Sequence, residues 1–420
     1  FAHNDGDGGF NGGDIIKCGS YTGNQNVDGP EIDLGFEPQF VLVKLASSAG
    51  GNWVMADTMR GFVNNPSINQ IYANTSDAEQ AVPVSQANPT ATGFKVTATG
   101  GNWNSNGQTY IYIAIRRGTK VPEDATEVFA IDASPNSSFP VYEAGFPVDL
   151  GIKRYDYPSS GNSNFACDRL RGSQRLFTNL TNAESSSTDV AFDSQVGWWT
   201  QPENSTSISW MWKRAPGYFD AVAYSGNSTA GHTVSHNLGV VPEMMWVKCR
   251  TKDEDWSVYH EGLGSPPEEN YIYLNHDRVK NFDGNTIKWW NHTAPTDSVF
   301  TLGIESRVNL STHDYIAYLF ASLPGISKVG SFTHSNGSNT TVDCGFTSGA
   351  RFVLVKQTDL ADNWFVFDTE RGITVSDSPA LFLNNTNGES GASYIEPTNS
   401  GFIIKNNFWS AGDYIFYAIA

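Results

Sequence analysis

The chain has 420 residues, 39% hydrophobic and 17% charged, which is apolar enough for several packed domains. So few charges leave Ser, Thr, Asn and Gly to cover the surface, a balance that suits all-β, extracellular or virion proteins better than helical cytosolic enzymes. A formal charge of −18 disfavours nucleic-acid backbones and anionic membrane surfaces, and no apolar run reaches the roughly 18 residues of a membrane span.

Residues 1–14 are glycine-rich and read as an N-terminal connector. Asp5 and Asp7 beside Asn4 faintly suggest a calcium loop, but the later ligands and closing Glu are missing, so no metal is expected. The chain starts at Phe1 without a signal-like apolar segment, as expected of a fragment or a processed product. The four cysteines, Cys18, Cys167, Cys249 and Cys344, fall at unlike places along the chain and read as free, mostly buried thiols rather than a disulfide framework.

Phe40-Val-Leu-Val-Lys44, followed by Trp53 and Asp57-Thr-Met-Arg60-Gly61, returns about 300 residues later. There it is Phe352-Val-Leu-Val-Lys356, then Trp364 and Asp368-Thr-Glu-Arg371-Gly372. Weaker copies lie between, giving four modules over 15–118, 119–216, 217–325 and 326–420, the second divergent. The strand Phe40–Lys44 is apolar at four consecutive positions, so it should be covered on both faces and lie centrally in its sheet. Its terminal lysine is read in all four modules, as Lys44, Lys153, Lys248 and Lys356. Next, Trp53, Phe165, Trp256 and Trp364 are placed at one equivalent position, as large plugs between two sheets.

Asp57 and Arg60, Asp168 and Arg171, and Asp368 and Arg371 each stand three apart, a spacing that closes a turn by a charge-assisted hydrogen bond. The third module has His260 in place of the aspartate. An aromatic two residues before an Asn follows in Tyr72/Asn74, Phe177/Asn179 and Phe382/Asn384, with a slip of one expected near Asn275; the Asn amide should begin a turn. Each module ends on an alternating strand, as in Tyr110–Ile115, Tyr315–Phe320 and Tyr414–Ile419. Short connectors follow (Arg116–Gly118, Ala215–Gly217, Leu323–Gly325), so the modules should stack in line. The fold class is all-β: four tandem sandwiches, jelly-roll, immunoglobulin-like or lectin-like, of roughly seven or eight strands each.

No nucleophile elbow, zinc-protease helix, P-loop or dinucleotide fingerprint is present, so no enzyme activity and no cofactor are expected. His232, His236 and His260 could hold zinc, but no fourth ligand suggests itself and surface or turn roles are preferred. Trp103, Trp198, Trp199, Trp289, Trp290 and Trp409 lie in Gly/Asn-rich stretches, where indoles could stack on sugar rings. The alternative, which is preferred, is that these rings pack between modules or protomers.

The run Gly-Phe-x-Pro-x-Phe-Val-Leu-Val-Lys, then Asn-Trp-x-x-x-Asp-x-x-Arg-Gly and a closing Tyr-Ile-Tyr-Ile-Ala-Ile, resembles a repeat in predicted tail-fibre and other virion proteins of tailed phages of marine bacteria. Modules one and four carry it well, two and three loosely. The resemblance implies a virion protein, assembled in the host cytoplasm and exposed outside, that projects from or braces the particle. Its implied partners are other virion proteins, with a homotrimer expected by analogy with fibres; host-surface glycans are the further partner if the Trp-rich loops bind sugars. A glycan-binding adhesin and a polysaccharide depolymerase are the ranked alternatives.

Overall fold

The computed structural model describes residues 15–64, 68–83, 86–154, 163–200, 207–284 and 287–420. Its regular structure is almost entirely antiparallel β, in separate sheets that form sandwiches. The chain divides into two compact units. One holds Phe1–Thr119, Asp168–Gln174 and Ala191–Ser194; the other holds Lys120–Cys167, Arg175–Val190 and Gln195–Ala420.

One large sheet is built four times with the same strand order. The opening strand (Ile16–Thr22, Phe129–Asp132, Phe219–Ser225, Ser327–His334) pairs with the closing strand (Thr109–Arg116, Ile208–Trp212, Asp314–Phe320, Gly412–Ile419). The closing strand pairs next with the apolar central strand (Pro38–Leu45, Leu150–Arg154, Met244–Cys249, Phe352–Gln357). Then come the indole strand (Val54–Asp57, Asn164–Asp168, Ser257–His260, Trp364–Asp368) and an outer strand that ends at Tyr72, Phe177, Tyr273 or Phe382. β-Branched and aromatic side chains at period two account for these strands, and the central strand sits inside its sheet in every copy.

A small sheet covers one face of the large one. It has three strands in the first, second and fourth modules, and two, His232–Ser235 and Val299–Leu302, in the third. Among the described residues the first and second modules carry nine strands and the third and fourth eight, against the seven or eight expected. Between the layers lies the sandwich core, in the first module Leu34, Val41, Val43, Phe94, Tyr110 and Tyr112 among others. A stacked ring pair recurs there: Tyr21 on Tyr110 at 5.1 Å, Tyr224 on Tyr315 at 5.2 Å and Phe332 on Tyr414 at 5.1 Å.

The slip expected near Asn275 is absent, because Tyr273 pairs with Ser257 just as Tyr72 pairs with Val54. The asparagine itself acts across strands. Asn74, Asn179, Asn275 and Asn384 each accept, through Oδ1, the backbone N–H of residue 53, 164, 256 or 364 at 2.8–3.1 Å.

The glycine opening the middle strand of the small sheet permits a close backbone approach. A Cβ on Gly401 would stand 2.3 Å from the Val342 carbonyl oxygen, whereas one on Gly391 would meet nothing within 4 Å. Gly401→Ala should therefore cost about 1–3 kcal/mol by forcing the strands apart, while Gly391→Ala should be close to neutral. Chemical denaturation of the two variants measures this, and equal midpoints would contradict the packing described.

Candidate assembly surface

The outer face of each large sheet, away from the small sheet, is where the repeat concentrates its chemistry. Within the second unit these faces are turned on one another. Phe352 lies 5.3 Å from Phe129 and 5.6 Å from Trp212, while Tyr417 lies 5.1 Å from Phe320 (ring centroids). Trp210, Trp212, Trp246, Tyr318, Phe320, Phe352, Leu354 and Tyr417 are each at most 1% exposed. On area grounds each such side chain contributes about 1.5–3 kcal/mol by leaving water.

A set of hydrogen bonds repeats from one junction to the next. Trp256 Nε1 donates to the Phe177 carbonyl at 2.9 Å, joining the third module to the second, and Trp364 Nε1 donates to the Tyr273 carbonyl at 2.9 Å, joining the fourth to the third. Lys248 Nζ reaches the Thr181 carbonyl at 3.0 Å and Lys356 Nζ the Asp277 carbonyl at 3.1 Å. Backbone bonds return across the same junctions, from Glu184 N–H to Arg250 O at 2.7 Å and from Lys280 N–H to Thr358 O at 2.8 Å.

The third junction runs from the second module back to the fourth. Asn164 Nδ2 donates to the Phe382 and Leu383 carbonyls at 2.9 and 3.0 Å, and the Arg154 guanidinium donates to the Asn385 and Asn387 carbonyls at 3.1 and 2.5 Å. Acceptors two residues before the turn asparagine thus serve all three junctions. The three sandwiches close into a ring with approximate threefold repetition, where an open row would leave the second and fourth apart.

This geometry corrects two equivalences drawn from sequence. Asn164, not Phe165, stands where Trp53, Trp256 and Trp364 stand, since residue 164 takes the N–H···Asn bond and Phe165 pairs with Phe177 as Phe365 pairs with Phe382. Arg154, not Lys153, matches the terminal lysines, because Arg154 pairs with Ile208 as Lys248 pairs with Ile316 and Lys356 with Ile415. Lys153 points to the other face, over the Tyr142 ring. Both slips are of one residue, which in a strand moves a side chain to the opposite face. The large rings also do a different job from the one expected. Trp256 and Trp364 plug junctions between modules rather than the gap between the two sheets of one module.

Of the six tryptophans considered for sugar stacking, Trp103, Trp198, Trp289, Trp290 and Trp409 are between 0% and 6% exposed, and Trp199 is half-buried. Their indole N–H groups face inward: Trp103 to Gln70, Trp198 to Ser209, Trp289 to Ser257, Trp290 to the Asn270 carbonyl and Trp409 to the Tyr394 carbonyl. They belong to the sandwich interiors. Asp5 and Asp7 lie outside the described residues.

Each Asp-x-x-Arg pair closes a tight turn. Asp57, Asp168 and Asp368 accept from the backbone N–H of Arg60, Arg171 and Arg371 at 2.9–3.0 Å and from the Nε at 2.5–2.8 Å. Asp368 also receives Trp210 Nε1 at 3.0 Å, from another module. His260 replaces the aspartate in register, opposite Met244 as Asp368 is opposite Phe352. Its Nδ1 accepts from Gly262 N–H at 2.9 Å and its Nε2 faces the Phe416 carbonyl at 3.3 Å, so the neutral imidazole with a proton on Nε2 fits both. Burial brings its pKa down to about 4, and burial likewise brings Lys248 and Lys356 down to about 8.

Sequence reasoning missed Asn104 and Asn309, which end two four-residue helices and are 0% exposed. Each amide ties two stretches of backbone to its own turn: Asn309 donates to the Gly303 and Thr229 carbonyls and accepts from Asn227 N–H, as Asn104 does with Ala98, Asn26 and Asn24. The shared spacing to the closing tyrosine, Asn104 to Tyr110 and Asn309 to Tyr315, was the available signal.

A family described as a domain of unknown function (DUF7483) matches residues 13–117 and 140–420. No curated protein and no solved structure matches the chain.

Replacing Trp364 by Phe keeps the ring but leaves the Tyr273 carbonyl unpaired, so it should cost about 1–3 kcal/mol. Trp364→Ala should cost about 3–5 kcal/mol. Denaturant midpoints order the two, and a neutral Trp364→Ala would remove the indole from the junction. Acid should also weaken the protein. The folded pKa of His260 lies below its unfolded value, so its contribution is complete above about pH 6.5 and is lost as pH falls towards 4. The loss is on the order of 3 kcal/mol. The neighbouring Glu261, raised to about 7 by burial and by Glu243, acts in the opposite sense, so the variant must be single. Between pH 7 and 4.5, His260→Gln should lose clearly less stability than the wild type; an unchanged pH slope would contradict the assignment.

Proposed function

We infer that this chain, which belongs to the DUF7483 family, is a non-enzymatic structural component of a tailed-phage virion, in a tail fibre, the tail or the capsid surface. Its work is to project from or brace the particle and to meet the host surface. The observation that carries this reading is where the repeated chemistry goes. The lysine or arginine, the indole or asparagine, and the apolar face of the central strand are spent on joining modules to one another. Repeats whose distinctive residues make junctions build shape and reach, and the resemblance of the FVLVK and Asn-Trp motifs to virion repeats supplies the setting. The sugar-binding reading drew on exposed indoles, and the buried positions of five of the six leave it without that support.

Purified particles provide the test. Immunogold labelling with antibody to this chain, together with mass spectrometry of gradient-purified virions, should place it on the particle at fixed copy number. A chain recovered only from the soluble fraction of infected cells would overturn the reading.

A further inference from the structure

The first module carries the same outer face, with its residues in the same register, and that face is uncovered. Ile111 pairs with Lys44, Ile113 with Leu42 and Ile115 with Phe40, as Ile316, Tyr318 and Phe320 pair with Lys248, Trp246 and Met244. In the third and fourth modules every one of these positions is at most 1% exposed. In the first, Ile111 is 40% exposed, and Phe40, Leu42, Lys44, Trp53, Met55, Ile113 and Ile115 are only partly buried, while Val41, Val43 and Ala114 on the inner face are at 0%. The central strand is written for cover on both sides and has it on one.

Both halves of the junction are present on this one module. The donors are Trp53, whose Nε1 makes no hydrogen bond to the described residues, and Lys44, whose Nζ folds back onto the Gly50 and Gly51 carbonyls of its own loop at 2.9 and 3.0 Å. The matching acceptors follow from the turn asparagine. Phe177 and Tyr273 stand two before Asn179 and Asn275, and Tyr72 stands two before Asn74; Thr181 and Asp277 stand two after, as Ser76 does. Residues 73–80 are exposed. Donor and acceptor edges are different parts of one module, so copies join head to tail, and a head-to-tail contact closes only at the number its rotation sets. The ring of the second, third and fourth modules shows that this contact closes at three.

We propose that three copies of this chain associate through their first modules into a ring of the kind that the other three modules form within one chain. Trp53 Nε1 then donates to the carbonyl of Tyr72 in the next copy, Lys44 Nζ leaves its own loop for the carbonyl of Ser76, and Glu79 N–H returns a bond to the Ala46 carbonyl, as Glu184 does to Arg250 and Lys280 to Thr358. Ile111, Ile113, Phe40 and Leu42 become buried about the threefold axis. The inference rests on this face and not on where the chain resides, so it stands or falls independently of the virion reading.

The full chain at micromolar concentration, measured by light scattering after size exclusion and by native mass spectrometry, should have three times the chain mass of 45.9 kDa. Ile111→Glu, at an exposed position that the single fold tolerates, puts three carboxylates into the apolar contact and should reduce the species to one chain mass. Its circular dichroism spectrum should be that of the parent. Lys44→Glu should do the same. Val27→Glu, at a site 64% exposed and off this face, should leave the trimer intact. A wild-type monomer or dimer at these concentrations would overturn the proposal, as would a trimer that survives both Ile111→Glu and Lys44→Glu.

Discussion

Everything in the second unit depends on giving each large sheet a second layer on its outer face. A strand such as Phe352–Gln357, apolar at every position but its end, cannot face water on either side without losing several side chains' worth of burial. The small sheet covers one side, and neighbouring modules cover the other. The indole–carbonyl and lysine–carbonyl bonds fix the register of that contact, because the carbonyls they reach, at the end of the outer strand and in the turn after it, would be costly to bury unpaired. Apolar area drives the ring, and a few directional bonds decide its geometry.

The divergent second module shows how far the contact tolerates change. Asparagine replaces tryptophan at position 164 and still reaches the equivalent carbonyl, that of Phe382, while arginine replaces lysine at 154 and reaches the carbonyls of Asn385 and Asn387, on either side of the equivalent residue. What the asparagine lacks in ring area is made up elsewhere, by Trp210 and Trp212 packed against Phe352. What is kept is a side-chain N–H donor to the backbone around the neighbour's turn asparagine, with ring size free to move around the face. Likewise His260 stands in for an aspartate by keeping one acceptor for the turn and offering one donor across the junction.

Much of this was legible in the residues. The repeat, the strand order's central member, the all-β sandwich class and the turn closed by aspartate and arginine all follow from period-two patterning and short spacings. The one-residue errors at Phe165 and Lys153 have a common cause. In a module with weak motifs, matching residue types (aromatic to aromatic, lysine to lysine) outvotes register, and register alone tells which face a side chain takes. The burial of Trp289, Trp290 and Trp409 was hidden because a Gly/Asn-rich stretch looks the same whether it borders solvent or folds its indole into a core. Ring closure was hidden too, since short connectors such as Leu323-Pro324-Gly325 limit distance between neighbours and say nothing about the second module meeting the fourth.

The three sandwiches of the second unit share one interface and so stand or fall together. Hydrogen exchange in the intact protein measures this directly, by comparing the closing strands Ile208–Trp212, Asp314–Phe320 and Gly412–Ile419. A shared interface gives one common opening free energy for the three, lowered equally in all by Trp364→Ala. Three distinct protection levels, with the variant affecting only Gly412–Ile419, would show three independent modules and contradict it.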